Sequence, residues 1–338
     1  MSEIGLIAIG RNEGDRLRRC LEAVVGKVRQ VVYVDSGSTD GSVEMARSLG
    51  ADVVALDLTI PFTAARARNA GLERLLTLCP GLTYVQFVDG DCEVVEGWLE
   101  QAQQALTEHS AWAVVCGRRR ERFPEQTIYN KLCDIEWDTP VGEAAACGGD
   151  AMMRIAALQK VGGYNPALIA GEEPELCVRL RQSGWKVYRL DAEMTLHDAQ
   201  MTRFGQWWKR SLRAGHAFAE GSYLHGKPPE RHWVKETRSN WLWGLVIPGV
   251  AIALAIPTSG ISLLLLLGYG LMTYKIYRYM RQTELSSGDS ALYAVFCVLG
   301  KFPNMLGQLK FYRNKLLGQK SSLIEYKGIG HSGQARKA

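Results

Sequence analysis

The sequence predicts an α/β protein with a mostly parallel sheet, followed by an apolar helical hairpin. Three observations predict it. Short β-branched runs alternate with segments of helical period over the first hundred residues. Two of those runs stop at loops rich in Asp, Gly and Ser, where an open sheet of this class presents ligands. Much later, Trp241 to Tyr274 contains no charged residue.

Each element follows in order. Ile4–Ile9 reads as a short buried strand, and Leu17, Cys20, Leu21 and Val24 then recur at helical spacing. Val31–Val34 is a strand bounded by turn residues, and DSGSTDGS after it is a loop of cap and turn formers. Val43, Ala46 and Leu49 mark a second helix, and Val53–Leu56 a third strand. A helix over Thr63–Leu78 places Leu72, Leu75 and Leu76 on its apolar face. Tyr84–Val88 is the next strand; it runs into Asp89-Gly90-Asp91, after which the chain reads as helical. Beyond residue 110 the pattern is less regular. Ala113–Cys116, Cys147–Arg154 and Trp185–Leu190 read as strands. EEPELCVRLRQSG reads as a helix with Pro174 in its first turn and Gly184 at its end. The final GIGHSGQARKA reads as a frayed end.

Composition narrows the function. Of 338 residues, 47% are hydrophobic and 22% charged, which points to an ordinary domain plus a greasier part. Eight cysteines stand at irregular spacings with no CxxC, so free thiols in a reducing compartment are expected, not a zinc site or a disulfide framework. The first residues lack the basic start and long apolar run of a signal peptide, which places the first two-thirds in the cytoplasm. The net charge is +5, with basic residues clustered around the greasy stretch; that favours an anionic membrane surface, not nucleic acid.

The greasy stretch splits at Pro257–Gly260. Its halves, 240–256 and 261–279, are roughly 17–19 residues, at the short end for crossing a hydrocarbon core. Arg231, Lys235 and Arg238 precede it, Lys275, Arg278 and Arg281 follow it, and the turn has no charge. The positive-inside rule then reads a transmembrane hairpin with both ends cytoplasmic. A buried core hairpin is the competing reading. Residues 291–318 read as an interfacial amphipathic helix broken near Pro303, or as a third span interrupted by Lys301 and Pro303.

Asp89-Gly90-Asp91 has two readings. Aspartates in turns cap helices and bond their own backbone. Paired carboxylates also hold Mg²⁺ or Mn²⁺, usually together with substrate phosphates. No GxxxxGK[ST] is present, so phosphates would be met by a metal and basic side chains, not by a P-loop.

GRNEGDRL, VVYVDSGSTDGS, ARARNAGL, FVDGDCEV, GEEPELCVRLRQSGW and TLHD occur in the order seen in family 2 glycosyltransferases. The chain resembles that family, in its membrane-anchored bacterial form, over residues 3–220. The resemblance implies a GT-A-type fold and inverting sugar transfer from a nucleotide diphosphate donor with Mg²⁺ or Mn²⁺. It implies that Arg11, Asn12 and Glu13 line the nucleotide pocket and that Asp35 bonds base or ribose, with Ser36 and Asp40 in the same loop. Arg68 resembles the residue facing the diphosphate. Asp89 would hold ribose and help place the metal, Asp91 would bind it, and His197 resembles the late metal ligand. Gly148 and Gly149 would allow close approach to the donor sugar, which Asp150 would contact.

The family usually has Glu-Asp where this chain has Glu172-Glu173. Glu173 aligns with the general base and Glu172 is the alternative; two carboxylates that merely start a helix are the structural reading. The QxxRW signature of processive members is absent, since FGQWWKRSLRAG fails its spacing, which implies one transfer per encounter. The expected organisation is a cytoplasmic catalytic domain at 1–225, with halves 1–110 and 111–225 for nucleotide and acceptor. A membrane hairpin at 226–285 and an interfacial helix with a basic tail at 286–338 follow. The expected partners are a nucleotide sugar, the inner membrane and a lipid-linked or glycan acceptor of surface polysaccharide or glycolipid synthesis. A sugar nucleotidyltransferase and a catalytically dead membrane scaffold are the alternatives.

Overall fold

The structure, a computed structural model, describes residues 3–319. The expected frayed end and the last part of the basic tail lie outside them. The chain forms two units: one runs to Phe123 and resumes over Glu136–Ala199, the other takes Pro124–Ile135 and the chain from Gln200. The first unit ends at Ala199, and the helix Phe204–His225 belongs to the second.

The first unit opens with β1 (Ile4–Gly10), α1 (Asp15–Glu22), β2 (Gln30–Asp35), α2 (Ser42–Ser48), β3 (Asp52–Ala55), α3 (Ala64–Leu78) and β4 (Tyr84–Asp89). β5 (Cys92–Val94), α4 (Trp98–Glu108) and β6 (Trp112–Glu121) follow. The helical period of Leu17, Cys20 and Leu21 buries all three, and Thr63 starts α3 by accepting from the Arg66 N–H at 3.1 Å. After α5 (Ile128–Glu136), which belongs largely to the second unit, come β7 (Gly142–Glu143), β8 (Ala151–Arg154), α6 (Ile155–Val161), α7 (Glu172–Gln182) and β9 (Lys186–His197).

The sheet order is β3-β2-β1-β4-β8-β6-β9-β5, with β7 on β9. β3, β2, β1 and β4 are mutually parallel; β8 is antiparallel to both its neighbours, and β6 and β9 are parallel. Register places the loops. Gly10 pairs with Asp35 and Ile9 with Asp89, so the loops after β1, β2 and β4 leave one edge together. Behind them, Trp98 is fully enclosed and its indole N–H donates to Gln86 Oε1 at 2.9 Å.

Three local readings change. The segment after Asp91 starts as a strand, β5, and turns helical only at Trp98, because Cys92–Val94 pairs antiparallel with the end of β9. β6 continues past Cys116 to Glu121, and β8 starts at Ala151, leaving Cys147–Asp150 as a loop.

The second unit holds α5, α8 (Phe204–His225), α9 (Val234–Trp241), α10 (Ile247–Ala253), α11 (Leu267–Met280), α12 (Ser287–Leu299) and α13 (Lys301–Leu316). α8 and α13 cross closely at two glycines. A Cβ on Gly215 would lie 2.0 Å from the Asn304 carbonyl oxygen, and one on Gly307 2.0 Å from that of Leu212. α12 and α13 meet at Gly300; Pro303 sits in the first turn of α13, where a missing N–H costs nothing, so the break precedes the proline.

The transmembrane hairpin needs correction. No helix among the described residues is long and apolar enough to cross a membrane. The sequence explains why. Pro248 has no N–H and crowds the carbonyl four residues back, and the chain widens into a π-helical turn over Leu242–Val246. Past Pro257–Gly260 it winds as a tight 3₁₀ turn over Ile261–Leu266 before α11 begins. The two arms still run antiparallel: Ser262 Oγ donates to the Ala251 carbonyl at 2.7 Å and Tyr269 Oη to that of Trp243.

Candidate active site

The site grows from strand ends. β4 ends at Asp89, and two residues later Asp91 enters β5. β5 pairs with β9 so that Cys92 faces His197. This pairing brings residues 106 apart in sequence to 3.1 Å, His197 Nε2 to Asp91 Oδ2. Both side chains are buried. Behind the ring, Glu121 at the end of β6 lies 3.7 Å from Nδ1, and the Trp137 ring meets the imidazole edge-on at 4.7 Å. Glu121 is itself fixed by the N–H groups of Phe123 and Ala199.

Asp89 faces a different group. Its Oδ1 accepts from Arg68 Nη2 at 2.8 Å, and Arg68 Nη1 stands 3.0 Å from Glu172 Oε1 and 2.8 Å from Glu173 Oε1. Arg68 is 2% exposed. Burial alone would weaken its charge; Glu173 and then Asp89 more than offset that, and its pKa rises well above the ordinary value. The guanidinium of Arg68, expected to face the diphosphate, here meets three carboxylates. Glu173 is the more open of the two glutamates, with its side chain 13% exposed against 5% for Glu172. Its pKa is pushed up to about 7, chiefly by burial, with Arg68 opposing and Glu172 adding.

Asp150, expected to contact the donor sugar, lies beside this cluster. It is fully enclosed, and its oxygens take the Asp89 N–H at 3.0 Å, Thr195 Oγ1 at 2.7 Å and Arg119 Nη2 at 3.0 Å. These bonds tie β4, β6 and β9 together. Gly149 permits close approach, but of side chains. A Cβ there would lie 2.7 Å from Arg68 Nη2 and 2.8 Å from Asp89 Oδ2.

The first loops form a neighbouring patch at the same sheet edge. Arg11 and Asn12 are exposed, Glu13 is half-buried and pairs with Arg16 at 2.6 Å, and Asn12 adopts a positive φ of 56°. Asn12 binds the loop after β2, its Oδ1 accepting from Thr39 N and its own N–H donating to Ser38 Oγ. Asp35 uses both oxygens locally, on Tyr33 Oη and on the N–H groups of Gly37 and Ser38. Ser36 is buried beside it, and Asp40 Oδ1 accepts from the N–H of Ser42, the first residue of α2. Asp35 thus shapes the loop before it touches any ligand.

Ligand atoms cluster as Asp91, Cys92 and His197, and separately as Asp89, Cys92 and Asp150. The structure brings two expected metal ligands together, Asp91 and His197, and turns the third, Asp89, toward the arginine. Burial, then Asp150, pushes the Cys92 thiol far up, so it stays an uncharged, weak donor.

Residues 7–160 match the model of Glycosyl transferase family 2. They are a family 2 glycosyltransferase domain. Two curated relatives agree. Glycosyltransferase AglE of Haloferax volcanii is 24% identical over 217 residues, 60% of this chain and 69% of AglE. Succinoglycan biosynthesis protein ExoA of Rhizobium meliloti is 27% identical over 192 residues, 51% of this chain and 57% of ExoA. The chain thus matches between a little over half and about two thirds of these relatives' length. Among solved structures, the mannosyltransferase PcManGT from Pyrobaculum calidifontis, in complex with GDP-Man and Mn²⁺, superposes with a TM-score of 0.58 at 19% identity. That superposition covers 87% of this chain and 86% of PcManGT, and it shows a GT-A-like α/β fold.

Within this glycosyltransferase, sequence reasoning missed Arg119, Glu121, Trp137 and Thr195. The run GRRRER carried a signal. β6 extends through all three arginines, with register shifts against β9 on either side of Arg118. Arg119 then reaches Asp150 at 3.0 Å, with its guanidinium 5.4 Å from the Trp137 ring centroid.

Proposed function

We propose that the protein is a metal-dependent inverting transferase that moves a sugar from a nucleotide diphosphate to an acceptor hydroxyl. The observation that carries this reading is the convergence, at one sheet edge, of the Asp91–His197 pair and the Arg68-bound Glu172 and Glu173. One carboxylate oxygen and one imidazole nitrogen suit Mn²⁺ or Mg²⁺, with the donor's phosphates completing the shell. Glu121 behind His197 Nδ1 matches the carboxylate–histidine support common around metal ligands. The metal would offset the negative charge that gathers on the departing diphosphate.

The chain's own residues supply the rest. Glu173 takes the acceptor proton as the hydroxyl oxygen attacks the anomeric carbon and the bond to the diphosphate breaks, a contribution of roughly 10²–10⁴-fold. A pKa near 7 suits a group that must accept a proton at neutral pH. Arg68 holds that carboxylate and keeps Glu172 beside it. Arg11, Asn12, Glu13, Asp35 and Ser36 frame the nucleotide.

The reading extends to a lipid-linked acceptor, such as a polyprenyl-phosphate-borne sugar of surface polysaccharide or glycolipid synthesis, met at the cytoplasmic face of the inner membrane. Its support is the bilayer-seeking stretch Trp241–Tyr274 on the same chain as the transferase domain. Calorimetry with UDP, GDP, dTDP and CMP, each with and without Mn²⁺, tests the donor site. Metal-dependent binding of one nucleotide, abolished by Asp91→Asn, is expected; no binding by folded protein rejects the reading. Transfer of label into organic extract, absent with water-soluble acceptors, tests the lipid.

A further inference from the structure

We propose that the arms around Pro257–Gly260 form a wedge that enters one leaflet of an anionic bilayer and turns back inside it. The inference stands on the second unit alone and does not require the transferase reading.

The surface carries the case first. On the first arm Leu242, Leu245, Val246, Val250, Ile252 and Leu254 are exposed; at the tip Ile256 is 92% exposed. On the second arm five successive leucines, Leu263–Leu267, are exposed, with Leu267 and Leu271 each at 65%. Apolar side chains exposed in succession along both arms form a contiguous patch, and such a patch demands a cover. Charge names the cover. The wedge has no Asp, Glu, Lys, Arg or His between Trp241 and Tyr274. At its base stand six exposed cations, Arg231, Lys235, Arg238, Lys275, Arg278 and Arg281, against the acids Glu230, Glu236 and Glu284. Tyr274 and Tyr279 are exposed at the same level of the second arm, as aromatics are at a membrane–water interface. A second protein copy would need no cationic collar; an anionic headgroup layer does.

Internal bonding says how deep the wedge goes. Polar groups in hydrocarbon must be satisfied from within. At the tip, Gly260 N donates to the Ala255 carbonyl at 2.7 Å, Thr258 Oγ1 to that of Leu254 at 2.6 Å, and Ser262 N to Thr258 Oγ1 at 3.1 Å. Ser262 Oγ reaches across to Ala251, and Tyr269 Oη to Trp243, which also ties the arms together. An arm from Trp241 to Ala253 rises about 20 Å at 1.5 Å per residue, enough to enter a leaflet but short of a ~30 Å core. A turn with the Thr258 and Ser262 hydroxyls and the Ser259 and Gly260 amides bonded internally is suited to stopping in lipid.

The test uses the full chain and sealed vesicles of phosphatidylcholine alone or mixed with phosphatidylglycerol. Co-sedimentation is expected with both and strongest with phosphatidylglycerol. Leu264→Asp with Leu267→Asp, both at exposed positions, should lower binding more than tenfold while the circular dichroism spectrum is kept. Depth is read with Ser259→Cys and an impermeant maleimide trapped in the vesicle lumen, against wild-type background. Protection until detergent is added is the expected result. Labelling from the lumen would show a span and overturn the proposal. So would failure of the wild-type chain to bind vesicles, or burial of the leucines in a stable dimer that ignores lipid.

Discussion

Arg68 Nη1 stands 2.8 Å from Glu173 Oε1 while its Nη2 stands 2.8 Å from Asp89 Oδ1, so one buried cation joins the proposed base to the end of β4. Glu173→Gln keeps the shape and removes the proton acceptor. Turnover should fall by roughly 10²–10⁴-fold with nucleotide affinity nearly unchanged. Glu172→Gln, at the more enclosed glutamate, should act mainly through stability. Paired turnover and calorimetry on both variants check the assignment; equal losses of turnover would move the role to Glu172.

Activity should rise with pH through about 7 and level above it, because Glu173 works only when ionised. Stability should move the other way. The folded pKa lies above the ordinary 4.5, so the protonated form is favoured by folding. That contribution is complete at low pH and is lost as pH rises through 7. Melting temperatures from pH 5 to 8 should fall more steeply for the wild type than for Glu173→Gln.

Gly149→Ala should be costly. Its new methyl would meet Arg68 Nη2 and Asp89 Oδ2 inside 3 Å, and neither partner is free to retreat. A loss of about 1–3 kcal/mol by denaturant titration is expected, with weaker turnover.

His197→Ala removes a proposed ligand and should abolish Mn²⁺-dependent nucleotide binding. Glu121→Gln leaves the ligand but loosens its support, and metal affinity should drop about 10–100-fold. Manganese titration followed by electron paramagnetic resonance distinguishes the two. Indifference of both variants would reassign the cluster to structure alone.

The parallel half was legible because each strand is a short apolar run ended by turn residues, and Asp89 and Asp91 stand where such runs stop. The antiparallel pairing of β5 with β9 was not. It joins Cys92 to His197, and no local period reports a partner so distant. His197 was found only through resemblance. Arg119 was lost because β6 was ended at Cys116, and because the register shifts around Arg118 hide which side chain meets Asp150. Asp150 and Arg68 were placed by family role; in the structure both meet Asp89, Asp150 at its N–H and Arg68 at its carboxylate. The apolar stretch was read by length; Pro248 and the Pro257–Gly260 turn decided its winding.

The ladder between β5 and β9 has a consequence for synthesis on the ribosome. Asp91 emerges early, and its imidazole partner follows 106 residues later. The stretch that carries the family signature ends at residue 160, before Glu172, Glu173 and His197 have been made. A nascent chain stalled there would bear the whole signature with neither the proposed proton acceptor nor the proposed second ligand. On the proposed reading, competence arrives in one late step, when the last long strand docks, and half-made chains cannot spend activated sugars.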